Sequence, residues 1–229
     1  MGEKSDVFQS LRGCLVVSCQ AQSHEPLHGA AYMAAMARAV VAGGAAGVRC
    51  ESPTDIAAIR ESVSVPLIGL WKRGEQGVYI TPTLDDARAV VRAGADVVAV
   101  DATHRKRPVP VGELIQGVHH ELGRPVLADV STVEEALAAE AAGAAAVAPT
   151  LSGYTGTGPV PREPDWDLLA KMLASLRVPV LMEGRVAEPS HVARAFAMGA
   201  WAVVVGSAIT RPQLITAGFA RACPRQENG

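Results

Sequence analysis

The sequence predicts an α/β protein in which eight parallel strands and their intervening helices close into a (β/α)8 barrel, and three observations carry that expectation. Eight short apolar runs recur along the 229 residues. They are rich in Val, Leu and Ile without clean polar alternation, as parallel strands are when both faces are covered. The segments between them carry helical spacing and helix start signals. The strand entrances alternate between Gly-Ala and Pro, the pattern that a βαβα unit repeated around a ring would leave.

The runs, in order, are "CLVVSC" (14–19), "AGVRC" (46–50), "PLIGLW" (66–71), "DVVAV" (96–100), "PVLADV" (125–130), "AAAVAPT" (144–150), "PVLMEG" (179–184) and "WAVVVG" (201–206). Between them, Thr83 with Asp86 and Thr132 with Glu135 match the helix capping box. Gly44-Ala45, Gly94-Ala95, Gly143-Ala144 and Gly199-Ala200 each close a helix and open a strand, glycine supplying the left-handed residue past the helix end. Pro66, Pro125 and Pro179 open the strands in between. An open doubly wound sheet uses the same punctuation. The first strand, however, lacks the GxGxxG turn of such sheets, which favours the barrel. No linker or low-complexity run divides residues 1–229, so one domain is expected.

Composition bounds the function. With 49% apolar residues the chain can bury a large core, and a net charge of -2 leaves no electrostatic footprint for nucleic acid or an anionic membrane. No apolar run approaches the ~18 residues of a membrane span, and "MGEKSDVFQSLRG" lacks the apolar centre of a signal peptide. A cytoplasmic protein is expected. Cys14, Cys19, Cys50 and Cys223 have neither CxxC spacing nor the density of a disulfide framework.

Barrel enzymes do their chemistry where strands exit into the following loops. Here the exits carry Gln20, Arg49, Lys72, Asp101, Asp129, Thr150, Glu183 and Ser207. One polar residue at a strand end means little, but eight in eight strands predict a polar pocket at one mouth. Lys72 and Glu183 leave the third and seventh strands on opposing walls, as a base and an acid moving a proton on a small substrate would. "EGR" (183–185) and "VGSAITRP" (205–212) end strands seven and eight with glycine, at the usual phosphate site of such barrels. The run Arg105-Lys106-Arg107 fits a solvated loop or a patch that draws in an anionic substrate.

The stretch "SHEPLHGAAY" (23–32) contains H-E-x-x-H, a zinc-protease signature when it lies on a helix. Pro26 disfavours helical geometry at Glu25 and belongs at a first helical position, so His24 and Glu25 are expected before the helix and His28 within it. No other cluster has metal-ligand spacing, and no metal is expected.

Taken with these strand ends, the sequence resembles the N-acylmannosamine-6-phosphate 2-epimerases of bacterial sialic acid breakdown. The resemblance rests on "LVVSCQA" (15–21), "EPLH" (25–28), "PLIGLWKR" (66–73), "ITPT" (80–83), "DATHRKRP" (101–108), "ADVSTVEEA" (128–136), "TLSGYT" (150–155), "EGR" (183–185) and "VVVGSAITRP" (203–212) in that order and spacing. It implies a TIM barrel of the phosphosugar (ribulose-phosphate) binding type that interconverts N-acetylmannosamine 6-phosphate and N-acetylglucosamine 6-phosphate without a cofactor. The family's catalytic lysine and glutamate fall on Lys72 and Glu183. Its sugar contacts fall on Gln20, Arg49, Asp129 and Arg211, and its phosphate loops on Gly184-Arg185 and Gly206-Ser207. Barrels of the family are often dimers, so a homodimer is a candidate assembly. Two departures concern the mouth: "RGEQGVY" (73–79) is shorter than usual, and Ala148-Pro149 replace small or hydroxyl residues.

Two alternatives remain open at this point. One is another metal-independent sugar-phosphate isomerase or a lyase on the same barrel. The other is a phosphosugar-binding sensor without catalysis, which would need the phosphate grip but neither Lys72 nor Glu183. No kinase segment accompanies the barrel, so a substrate that is already phosphorylated is expected.

Overall fold

The computed structural model describes residues 7–74, 77–156 and 158–224. Its strands are β1 (Leu15–Cys19), β2 (Gly47–Glu51), β3 (Leu67–Leu70), β4 (Val97–Asp101), β5 (Val126–Asp129), β6 (Ala146–Ala148), β7 (Leu181–Glu183) and β8 (Ala202–Val205). Helices are α1 (Val7–Ser10), α2 (Ala30–Ala42), α3 (Pro53–Ser62), α4 (Leu84–Arg92), α5 (Val111–Leu122), α6 (Val133–Ala141), α7 (Trp166–Ser175), α8 (Pro189–Met198), α9 (Ser207–Thr210) and α10 (Pro212–Ala220). The strands hydrogen-bond in the order β6-β5-β4-β3-β2-β1-β8-β7. A parallel bridge from Val147 to Val180 joins the two ends. The sheet is a closed (β/α)8 barrel.

The alternating strand entrances have a hydrogen-bonding cause. Past α2, α4, α6 and α8, Gly44, Gly94, Gly143 and Gly199 take φ of 103°, 111°, 98° and 106°. The following alanine N–H then reaches back into the helix, from Ala45 to Val40, Ala95 to Val90, Ala144 to Ala139 and Ala200 to Ala195. This is the bond that satisfies carbonyls left over at a helix end. Each proline acts as an acceptor: Val48, Val98 and Val147 donate to Pro66, Pro125 and Pro179 at 3.0–3.1 Å. A proline lacks an N–H, so it can open a strand without leaving a donor stranded at the ring's lower edge.

Residue parity separates two cores. Val16, Ile68, Leu70, Val97, Ala99, Leu127, Leu181 and Val204 fill the interior of the ring, while Val17, Val48, Leu67, Val98, Val100, Val126 and Val203 pack beneath the helices. Helix α1 plugs the lower mouth. Its Phe8 is 1% exposed, and the Phe8 carbonyl accepts from Trp201 Nε1 at 2.6 Å. Leu11 seats over Gly47, where a β-carbon would lie 2.9 Å from the leucine side chain. Glycine is required there by close approach.

Local expectations differ in detail. β2 runs one residue past the apolar stretch to Glu51, because the period-two pattern continues inward through a charged residue. β6 and β7 are shorter than their apolar runs. Thr132 and Glu135 form the full capping box, whereas at Thr83 the Asp86 side chain bonds the threonine hydroxyl and not its backbone.

Candidate active site

The period of two along a strand decides what reaches the upper mouth. Ser18 arrives from β1, Gln20 from just past it, Arg49 from β2, Lys72 from just past β3, Thr150 from past β6, Glu183 from β7 and Gly206 from past β8, and all line one cavity of about 850 Å³. Six cationic residues line it, Arg49, Lys72, Arg162, Arg185, Arg211 and Arg221, against Glu183 and Glu188. That balance favours an anionic occupant.

Arg49 lies at the floor, 1% exposed. It grips Asp129 with two parallel bonds, Nη1 to Oδ1 at 2.9 Å and Nη2 to Oδ2 at 2.6 Å, and reaches Glu183 Oε2 with Nη1 at 2.7 Å. Thr150 donates to Asp129 Oδ1 at 2.6 Å. Burial disfavours the guanidinium charge, but Asp129 and Glu183 outweigh it and raise the Arg49 pKa. Glu183 is pushed up to about 7, chiefly by burial, with the charge of Asp129 adding and Arg49 opposing. A carboxyl poised near neutrality can both give and take a proton. Asp129 itself is fully buried and does not border the cavity; it holds Arg49.

Lys72 stands on a short hairpin. Lys72 bridges Ile80 in antiparallel fashion, Arg73 N–H donates to Tyr79 O at 2.8 Å, and Thr81 N–H donates to Trp71 O at 2.8 Å. Of the short loop 73–79, Glu75 and Gln76 lie outside the described residues. The ammonium donates to Gln20 Oε1 at 2.8 Å and lies 3.3 Å from Glu51 Oε2.

On the β7–β8 side, Gly184 and Arg185 have φ of 111° and 58° and Gly206 is followed by α9. The Ser207 and Ala208 N–H groups open that helix and have no intrahelical acceptor by position. The Arg185 guanidinium turns away to the carbonyls of Glu163 (2.6 Å) and Ser152, pinning the loop after β6. Arg211 donates to Glu25 Oε2 at 2.8 Å and Gln213 to Glu25 Oε1 at 2.8 Å. Against the opposing effect of burial, bonds from Gln22 N–H and Arg211 hold the Glu25 carboxyl below its usual pKa.

The H-E-x-x-H stretch is therefore occupied elsewhere. His24 and Glu25 precede the helix, and so does His28, contrary to expectation, because Gly29 at φ 122° caps α2 and Ala30 is its first residue. Among the described residues no three His, Cys, Asp or Glu side chains gather as a metal site. The two arginines of the basic run are consumed internally: Arg105 pairs with the buried Asp101 at 2.5 Å, and Arg107 donates to the carbonyls of Thr103, Asp101 and Val109, while Lys106 is exposed. Asp101 is thereby the strand-end residue turned to loop structure.

Sequence reasoning passed over Glu51, Tyr79, Tyr154, Arg162 and Arg221. Glu51 was detectable, since it follows Arg49 by two on one strand and must share its face. The others reach the cavity from loops and the chain end, where no periodicity marks a direction.

The sequence and fold agree with three comparisons. A family model described as "Putative N-acetylmannosamine-6-phosphate epimerase" (NanE) matches residues 33–225. A relative from Thermosynechococcus vestitus, named in the same terms as a 2-epimerase, is 51% identical over 202 residues, covering 87% of this chain and 89% of its own. Another so named, from Cutibacterium acnes, is 46% identical over 217 residues, covering 93% and 95%. The solved structure of the N-acetylmannosamine-6-phosphate 2-epimerase from Clostridium perfringens superposes with a TM-score of 0.93 at 38% identity, covering 97% of this chain and 99% of that one. A match of this extent in sequence and barrel geometry places the chain in the N-acetylmannosamine-6-phosphate epimerase family.

Proposed function

We infer that the protein is an isomerase that interconverts N-acetylmannosamine 6-phosphate and N-acetylglucosamine 6-phosphate by proton transfer at carbon 2, in amino-sugar and sialic acid catabolism. The observation that carries this reading is the convergence of Lys72 and Glu183 on one cation-lined cavity in a chain of this family.

Inverting carbon 2 requires breaking its C–H bond, and that hydrogen is acidic when carbon 1 is an aldehyde, so the sugar ring opens first. Lys72 takes the proton, the bonding pair moves into a carbon 1–carbon 2 double bond, and the negative charge settles on the carbon 1 oxygen. Return of a proton to the opposite face gives the epimer. Glu183, with a pKa of about 7, handles the hydroxyl protons of ring opening or the opposite face. Arg49 stabilises the oxyanion, with Asp129 holding it in place, and Gln20 orients Lys72. The backbone of Gly184-Arg185 and Gly206-Ser207, with Arg211 beside them, grips the phosphate, and this remote binding orients the reacting carbon. No cofactor is needed for this chemistry.

The cation-lined mouth supports a phosphorylated sugar as the partner, and the net charge of -2 speaks against nucleic acid. No helix of the described residues is long and apolar enough to cross a membrane. Residues 1–229 act as one domain in the cytoplasm. Helix α10 exposes Leu214 (50%) and Phe219 (74%), which supports a homodimer; sedimentation of the purified chain tests it.

The central test is proton NMR of N-acetylmannosamine 6-phosphate in heavy water with the purified protein. The reading requires N-acetylglucosamine 6-phosphate to appear with solvent deuterium at carbon 2. Binding without turnover or exchange would favour the sensor, which has no use for Lys72 and Glu183.

A further inference from the structure

We propose that Glu51 is a positioning residue for Lys72: with the Gln20 amide, its carboxylate fixes the direction in which the Lys72 amine meets the substrate. The proposal rests on the reading of Lys72 as the proton-transfer group.

Lysine carries its nitrogen on a flexible four-carbon stem, so a catalytic amine needs external restraint. Here two groups supply it. Gln20 Oε1 accepts from Nζ at 2.8 Å, and Glu51 Oε2 lies 3.3 Å from the same nitrogen. Acting as the base, Lys72 is a neutral amine with two N–H donors and a lone pair; Gln20 takes one N–H, and the lone pair is left for the cavity that Lys72 lines. Gln20 is itself fixed, donating through Nε2 to Ser18 Oγ at 2.8 Å.

The backbone holds Glu51 where this contact requires it. Glu51 is the last residue of β2 and registers with Leu70 of β3, so Lys72 lies diagonally ahead of it across the two strands. Immediately afterwards Ser52 turns out of the strand at φ 66°, its N–H on Leu70 O at 2.9 Å and its side chain capping α3. On the lysine side, Thr81 at φ 45° is fully buried, and its hydroxyl accepts from Trp71 N–H at 3.1 Å. The non-glycine residues described with positive φ are Ser52, Thr81 and Arg185. Two of them therefore brace the Glu51–Lys72 pair from either side, and the third lies two residues past Glu183. Backbone held in sparsely populated conformations at such places is a mark of enforced geometry. An incidental surface pair explains less: the Glu51 side chain is only 19% exposed, and a carboxylate withdrawn from water demands a partner, which among the described ion pairs is Lys72.

The test compares Glu51→Ala, Glu51→Gln and Glu51→Asp with the wild type for kcat, KM and carbon 2 exchange on N-acetylmannosamine 6-phosphate. Alanine should lower kcat by about 10- to 100-fold with KM nearly unchanged, the usual effect of a reacting group displaced by about an ångström. Glutamine, which keeps an oxygen of the same reach beside Nζ, should restore most of kcat. Aspartate, one methylene short, should not. Alanine with wild-type kcat overturns the proposal, as does a loss confined to KM. Glutamine as poor as alanine also overturns it, because Glu51 would then supply charge and not position. A wild type without epimerase activity would defeat the proposed function instead. In that event the relative rate at which acetic anhydride labels Lys72 against Lys106 and Lys171, read by mass spectrometry, decides: a Glu51→Ala protein with unchanged Lys72 labelling overturns the positioning role.

Discussion

Arg49 on β2 and Asp129 on β5 face each other across the interior of the ring and join through two bonds of 2.9 and 2.6 Å. The same guanidinium holds Glu183 of β7 at 2.7 Å, so one buried cation links three walls of the barrel. Asp129 thus has a structural claim on the site: it supplies the charge that lets Arg49 stay buried. The ionisation of Glu183 depends in turn on both.

Removing Asp129 should be felt first as lost stability. Asp129→Ala leaves a buried guanidinium with Glu183 as its remaining carboxylate, and breaking such a pair costs about 3–5 kcal/mol. Denaturant unfolding should show a loss of that order, with a fall in Tm on the order of 10 °C. A loss below about 1 kcal/mol would mean that water or a rotated Glu183 replaces the aspartate.

Glu183→Gln keeps shape and hydrogen bonding but removes the titrating proton, and should lower turnover by ~10²–10⁴. In the wild type, kcat/KM should show an ionisation near pH 7, absent from the glutamine protein. Stability should follow the same group with a defined sign. The carboxyl titrates near 4.5 when unfolded and at about 7 when folded, so the folded state binds more protons between those values. The protonated form's advantage is complete below about pH 4.5 and is lost as pH rises through 7. Converted by linkage, the difference amounts to about 3 kcal/mol. The Tm of Glu183→Gln relative to wild type should therefore climb from pH 4.5 to 8; a flat difference would show that Glu183 titrates normally.

Lys72→Met retains the length and apolar stem of the side chain without its amine. Epimerisation and carbon 2 exchange should both vanish while N-acetylmannosamine 6-phosphate still binds, which calorimetry can measure. Near-normal turnover in this variant would sink the proposed proton transfer.

Ser207→Asp places a carboxylate at the opening of α9, against the proposed phosphate position. Affinity for the 6-phosphate should collapse by more than ~10²-fold, since like charges at such contact are strongly unfavourable, while circular dichroism stays that of the wild type. Unchanged affinity would move the phosphate site away from the β7–β8 loops.

How far the sequence could be read depended on the range of the interaction. Gly143-Ala144 announced a helix end and a strand start because the left-handed glycine and the alanine N–H that follows act within six residues. Thr132 and Glu135 likewise declared the start of α6 through bonds that span three residues. Arg105 could not be read this way. A basic run in a loop suits solvent or substrate equally; Asp101 lies only four residues earlier, yet no helix or strand period fixes the loop that brings the pair to 2.5 Å. Arg185 was legible as part of a glycine loop, but the direction of its guanidinium was not, since that follows from the path of the distant Ser152 and Glu163 backbone.

The sequence by itself determined the eight-strand barrel, the order of its elements and the polar side chains that end its strands. Those features follow from periodicity and punctuation acting between near neighbours. The tertiary structure decided which of those side chains meet. Arg49 bonds Asp129 and Glu183, which lie 80 and 134 positions away, and Arg211 bonds Glu25 from 186 positions away. It also decided that Glu51 stands beside Lys72 and that the Glu183 carboxyl titrates near 7. Contacts and charges across the ring depend on its closure and on the exclusion of water from its centre, and no local spacing encodes either.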